Sequence, residues 1–242
     1  TAMIEQSKHF VLVNEKEVHP LEIEKGIVRV DDDSLKISQS AMQIALNYLE
    51  YLNIPLQPFR LSLTNQLVST EGLKYGLGSS AAILIAILKS ILMFHRVKLT
   101  RLELFKIAVL GQYLMDKKTS GGDLAACSFG GMICYTRYEY AWLKNNVERG
   151  FDIVKETWPL LDIVELPPQH FNIQIGWTNS PYSTNANLAK ILHQERIYLA
   201  FTNKANELVL RAKNAIIQGK TQELGVTLSR YQDLLYKLDF DL

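Results

Sequence analysis

Two short segments combine backbone freedom with side chains that can do chemistry. The first, Lys74-Tyr75-Gly76-Leu77-Gly78-Ser79-Ser80-Ala81-Ala82, sets two glycines and two hydroxyls directly before an apolar run. Glycine lets the backbone turn sharply and lets a ligand approach where a side chain would block it. N–H groups at a helix start, with the helix dipole behind them, attract anions. Ser79 and Ser80 add hydroxyls, one of which can face a metal ion, and Lys74 adds a full positive charge. The pattern suits a phosphate; it equally suits a tight turn that caps a buried helix, since Gly and Ser favour both. Two familiar phosphate-binding designs are set aside. Gly76, Gly78 and Ala81 fit G-x-G-x-x-A, but Val68-Ser69-Thr70-Glu71 is not an apolar strand, and no strand ending in an acidic residue follows about 20 positions later. The G-x-x-x-x-G-K-[ST] order of a P-loop is absent.

The second segment, Ser120-Gly121-Gly122-Asp123-Leu124-Ala125-Ala126, is followed by Phe129-Gly130-Gly131. A carboxylate at a glycine-led helix start can accept a proton from an attacking group or orient it. On spacing alone, Asp123 as a simple helix cap is the stronger reading. Lys117 and Lys118 stand just upstream, where they can face a phosphate or simply be solvated. A third block, Gly176-Trp177-Thr178-Asn179-Ser180-Pro181-Tyr182-Ser183-Thr184, offers small hydroxyls before a helical stretch. It reads as another anion pocket or as a capping turn.

The elements that must position these groups follow from periodicity. Phe10 to Val13 suits a strand. Asp31-Asp32-Asp33-Ser34 is a polar turn with Ser34 as the expected cap of a helix over residues 35 to 52, where Ala41, Ile44, Tyr48 and Leu52 recur at helical spacing. Phe59, Leu61 and Leu63 alternate with Arg60 and Ser62 as in a half-buried strand. A loop from Gly72 to Gly78 leads into the apolar stretch Ala81 to Phe94, too short to span a bilayer and expected as a core helix. Leu102, Phe105, Val109 and Tyr113 mark another helix, and Met132 to Tyr135 a strand. Residues 142 to 161 give no clear pattern. Phe171, Ile173, Ile175 and Trp177 alternate as a strand, and Leu224, Leu228, Tyr231, Leu235 and Leu238 follow helical spacing. Pro167-Pro168 is the expected domain boundary. The order is mixed α and β, with strands early and helices late.

Bulk properties bound the function. The 242 residues are 48% hydrophobic and 21% charged, ordinary for a globular chain. With 26 basic against 25 acidic residues the formal net charge is +1, which argues against a protein whose task is to hold nucleic acid. Cys127 and Cys134 are too few for a disulfide scaffold and lack metal-ligand spacing; buried thiols in a reducing, cytoplasmic setting are expected.

Gly76-Leu77-Gly78-Ser79-Ser80-Ala81-Ala82 resembles the central motif of the GHMP kinases, and the preceding Lys74-Tyr75 is similar to the phosphomevalonate kinase branch of that family. The segment around Asp123 and the "GWT-x-SP-x-ST" pattern from Gly176 to Thr184 resemble the family's other blocks, in family order. The resemblance covers the chain from about Phe59 through the late helices. It implies an α+β, two-domain fold with a ribosomal protein S5 domain 2-like first part and a ferredoxin-like α/β second part. The N-terminal domain would fall over residues 1–166 and the C-terminal domain over 167–242. It implies ATP and Mg²⁺ as cofactors, with Lys74, Gly76, Leu77, Gly78, Ser79, Ser80 and Ala81 around the nucleotide phosphates and Ser79 toward the metal. Asp123 would be the catalytic residue, and Ser120, Gly121, Gly122, Ser180, Ser183 and Thr184 would hold the substrate. The implied activity is transfer of the ATP γ-phosphoryl group to 5-phosphomevalonate in the mevalonate route to isoprenoids, by a small-molecule enzyme that uses neither nucleic acid nor membrane.

The sequence also departs from the family. Nothing in Thr1 to Pro20 matches the usual Pro-Gly-Lys-like opening, no glycine-rich closing motif precedes Leu242, and Met115-Asp116-Lys117-Lys118-Thr119 replaces a Gly-Asn-Gly lead. The chain is therefore expected to be a fragment lacking both ends of the catalytic unit, with reduced activity when isolated. Mevalonate kinase, diphosphomevalonate decarboxylase, and an inactive nucleotide-binding or scaffold relative remain as alternatives on these residues.

Overall fold

Strict alternation in Phe59–Leu63 (β6) builds the middle of a sheet: Phe59, Leu61 and Leu63 point into the core while Arg60 and Ser62 are partly exposed. The computed structural model describes residues 1–64, 75–116, 120–168, 171–176 and 195–237. Their neighbours place β1 (Ala2–Gln6) antiparallel to β6 on one side and β2 (Val11–Asn14) parallel to it on the other, with β3 (Glu17–Pro20) antiparallel to β2 at the edge. Ile4 and Leu12 both pair in register with Leu61. β4 (Glu22–Glu24) and β5 (Ile27–Arg29) form a separate hairpin. Its turn residues Lys25 and Gly26 have φ of 51° and 78°, the left-handed pair that a tight two-residue hairpin turn requires.

Three long helices cover this framework. The turn before α1 (Lys36–Tyr51) is closed by Asp32, whose side chain accepts from the Ser34 amide at 2.8 Å. Ser34 is thus not the cap: the carboxylate two residues earlier reaches its amide first and starts a short 3-10 turn. α1 is closed just past its end by Asn53, which takes φ 55° while Ile54 N–H donates to Leu49 O at 2.9 Å. α2 (Ser79–Phe94) buries Leu84, Ile87, Leu88 and Ile91. α3 (Arg101–Asp116) opens with a reciprocal cap, Thr100 N–H donating to Glu103 Oε2 at 2.8 Å and Glu103 N–H to Thr100 Oγ1 at 3.1 Å. α3 can lie close on α1 because of Gly111, where an added Cβ would fall 2.2 Å from Ile44 Cδ1.

α4 (Gly122–Phe129) leads to β7 (Ile133–Thr136), which pairs with β8 (Asp162–Glu165). Between them the stretch without a clear sequence pattern folds as α5 (Tyr140–Asn146) and a 3-10 segment, Val147–Lys155, broken at Gly150. It is held by buried Trp158, whose Nε1–H donates to Ile153 O at 2.9 Å and whose ring meets Tyr138 edge-on at 5.3 Å. Lys106 donates to Glu156 O and lies 5.5 Å from the Trp158 ring centre. Cys127 and Cys134 are partly exposed rather than buried.

The chain divides into two compact units, Thr1–Ile163 and Val164–Leu242. In the second, α6 (Glu195–Ile217) and α7 (Thr221–Tyr236) form a helical hairpin through Gly219, at φ 67°. Leu224 is buried as expected, but Leu228 is 55% exposed and Thr227 is buried in its place. Helical spacing fixes a stripe only to within a residue or so, and here it turns through Thr227, whose hydroxyl donates to Glu223 O at 2.7 Å. Residues 171–176 are not in a hydrogen-bonded strand, and Ile173 and Ile175 are 65% and 69% exposed. Alternation there marks an apolar face, but a strand also needs a ladder partner.

Candidate functional site

The start of α2 is built from backbone. Gly78 is the N-cap, with φ 74° and ψ 31°, and no side chain caps the helix. Gly76 also has φ 74°, and among the described residues no atom lies within 4 Å of a Cβ added at either glycine. The first helical bond runs from the Ala82 amide to Gly78 O at 3.1 Å. The amides of Ser79, Ser80 and Ala81 precede it, the usual orphan donors of a first turn. Ser80, Leu77 and both glycines are exposed, Ser79 is half-buried, and Ala81 is buried. An anion approaching this turn meets amide hydrogens, two hydroxyls and the positive end of a 16-residue helix. Lys74 lies outside the described residues.

The start of α4 carries the same left-handed glycine but in different surroundings. Gly121 is the N-cap at φ 77°, and it is buried. A Cβ there would lie 2.8 Å from Tyr135 Oη, 3.3 Å from Tyr138 Cε1 and 3.4 Å from Phe105 Cε2. The Tyr135 hydroxyl donates to Ser120 O at 2.6 Å, tying the loop to β7. Burial holds the Tyr135 phenol well above its ordinary value of 10.0, with Tyr138 and the Asp123 charge adding to the rise against Arg137, so Tyr135 stays a neutral donor. Asp123 stands in the first turn and is exposed; it is not the N-cap, and its Oδ1 accepts from the Leu124 amide at 2.9 Å. Burial, and then Asp123, push the Cys127 thiol up, which disfavours a reactive thiolate.

The fold brings these two loops onto neighbouring elements, since α4 packs against both α2 and α3. Gly130 and Gly131 at the end of α4 are left-handed and open around their Cβ positions. Lys117 and Lys118, and Ser180, Ser183 and Thr184 of the third block, lie outside the described residues. One residue that shapes the site, Tyr135, gives a weak sequence signal. Tyr135 reads only as part of a strand, whereas the Thr100-x-x-Glu103 pair that starts α3 is visible as a capping box once looked for. Among the described residues, no helix is long and apolar enough to cross a membrane.

Comparisons with known proteins bear on the same residues. Residues 39–131, which include both loops, match the family of GHMP kinases N terminal domain. A phosphomevalonate kinase from Streptomyces sp. (strain CL190) is 33% identical over 187 residues, covering 74% of this chain and 50% of that protein. The chain thus spans half the length of this curated relative. Among solved structures, a Lin0012 protein from Listeria innocua superposes with a TM-score of 0.90 at 26% identity, covering 98% of this chain and 69% of that one. The phosphomevalonate kinase of Streptococcus pneumoniae in complex with phosphomevalonate and AMPPNP superposes with a TM-score of 0.80 at 19% identity, covering 98% and 70% respectively, and extends the likeness of fold. The mixed α and β architecture is that of the GHMP kinase structures.

Proposed function

From the match of residues 39–131 to the GHMP kinase N-terminal domain, we propose that this chain belongs to a kinase that transfers the ATP γ-phosphoryl group to the phosphate of 5-phosphomevalonate. The observation that carries this reading is the uncapped, glycine-open start of α2 within the matched domain. The 33% identity to a phosphomevalonate kinase supports the choice of acceptor. We assign residues 1–166 to the N-terminal domain and 167–242 to the C-terminal domain.

In this reading the backbone from Gly76 to Ala81 wraps the nucleotide phosphates, with Lys74 adding charge. The Ser79 hydroxyl and phosphate oxygens are hard oxygen donors that suit Mg²⁺, which when bound neutralises phosphate charge. Ser120, Gly121 and Gly122 lead to Asp123 on the acceptor side, and Ser180, Ser183 and Thr184 hold the phosphate already on the substrate. An oxygen of that phosphate bonds to the γ-phosphorus as the bond to the ADP oxygen breaks. The attacking oxygen is already largely ionised near neutral pH, so no strong base is needed. Asp123, exposed and steadied by the Leu124 amide, serves to orient and to shape the local field.

The experiment is thermal stability of this chain with Mg²⁺ and an ATP analogue, alone and with mevalonate, its phosphate or its diphosphate. A midpoint raised by nucleotide and raised further by the monophosphate supports the proposal. A further rise with mevalonate or the diphosphate instead would replace the acceptor. In the full-length enzyme, Asp123→Asn is expected to lower kcat by at least tenfold with little change in KM; unchanged turnover would remove Asp123 from the chemistry.

A further inference from the structure

We propose that Glu17, His19 and Asp32 form a second, separate site that binds a divalent first-row transition-metal ion. Far along the chain from both phosphate loops, one ligand atom from each of these residues lies within 4.8 Å of the others. Three atoms so placed leave a point about 2.8 Å or less from each, so small side-chain rotations reach the usual coordination distance of about 2.0–2.2 Å.

The placement follows from the fold. Glu17 and His19 are two residues apart on β3, so their side chains leave the same face of the strand. β3 is the edge strand of this sheet among the described residues. Asp32 comes from the turn before α1, and its Oδ1 is fixed by the Ser34 amide at 2.8 Å. That bond orients the carboxylate beside the pair on β3.

An independent observation on His19 points to a missing partner. Its Nε2 is buried and has no hydrogen-bond partner among the described residues, although the residue is not deep: 17% of the side chain is exposed. Glu17 Oε2 approaches to 3.8 Å, too long for a hydrogen bond. A buried ring nitrogen is ordinarily satisfied, and a metal ion between it and the two carboxylates would satisfy all three.

The donor set narrows the ion. One imidazole with two carboxylates suits Zn²⁺, Co²⁺ or Mn²⁺; the absence of thiolate disfavours Cu⁺, and the imidazole disfavours Mg²⁺ and Ca²⁺. Two carboxylates balance the divalent charge. Bound there, the ion would tie the sheet edge to the turn that opens α1. A protonated His19 resting between the carboxylates is the competing arrangement.

The test uses the full chain, stripped with chelator and titrated with Co²⁺, whose visible absorption reports nitrogen and oxygen ligation. The expected result is one Co²⁺ per chain, displaced by Zn²⁺, with Zn²⁺ also raising the thermal midpoint. Affinity should fall at least tenfold in both His19→Ala and Asp32→Asn. Asp32→Asn keeps an oxygen for the Ser34 amide, so its fold, checked by circular dichroism, is preserved. His9→Ala, at an exposed position outside the cluster, should bind as wild type. No absorption on adding Co²⁺, or absorption that either His19→Ala or Asp32→Asn leaves intact, or that His9→Ala removes, overturns the site.

Discussion

The starts of α2 and α4 carry the same local signature, a left-handed glycine directly before a helix, and use it for different ends. At Gly78 no described residue comes within 4 Å of an added Cβ, and among the described residues no side chain caps the helix. At Gly121 that space is filled by Tyr135, Tyr138 and Phe105, and the loop is bonded to β7. In the second case glycine is required by what already packs inside; in the first the described residues leave room for an approach from outside. A glycine in a loop motif is therefore evidence of a ligand only when the structure leaves its Cβ position open.

The largest expected effect breaks the packed side of this contrast. Gly121→Ala forces a side chain into the left-handed region and against Tyr135 Oη at 2.8 Å. A cost of roughly 3 kcal/mol is expected, a drop of roughly 10 °C in the thermal midpoint. Gly78→Ala meets no atom of the described residues and should cost only about 1 kcal/mol in stability, yet weaken binding of the Mg²⁺–ATP analogue at least tenfold in a titration. If the two variants are equally destabilised, the distinction between an open and a packed glycine is wrong.

A smaller change sharpens the packed side. Tyr135→Phe removes the bond to Ser120 O, with an expected loss of about 1 kcal/mol in denaturant unfolding at neutral pH. The Tyr135 phenol is raised in the folded state above its ordinary value of 10.0. Stability from keeping it protonated is complete below pH 10.0 and lost as the pH climbs beyond that. The gap between wild type and Tyr135→Phe should narrow above that point; a constant gap would show that the phenol titrates alike folded and unfolded.

The same contrast explains what the sequence made legible. β6 and α1 were readable because a single face of each is apolar at strict spacing, as in Phe59, Leu61 and Leu63, and α2 because its run from Ala81 to Phe94 is apolar almost throughout. β3, β4 and β5 were not: Glu15 and Lys25 take left-handed turn positions that the sequence would ordinarily mark with glycine or asparagine. The stretch from Trp142 to Leu161 was obscure because α5 and the 3-10 segment are short, polar outside, and organised by Trp158, a contact no periodicity encodes. In the candidate site, the glycines and Asp123 were visible as residue types. That Gly121 faces three aromatic rings while Gly78 faces none of the described residues depends on β7 and α3 arriving from elsewhere in the chain.

Amide hydrogen exchange at the two helix starts, with and without Mg²⁺ and a non-hydrolysable ATP analogue, tests the central claim most directly. The expected result is strong slowing at Ser79, Ser80 and Ala81, which no side chain caps, and little change at Leu124, whose amide is already held by Asp123. Binding of the analogue with no slowing at residues 79–81 would contradict the assignment of α2's start as the phosphate site.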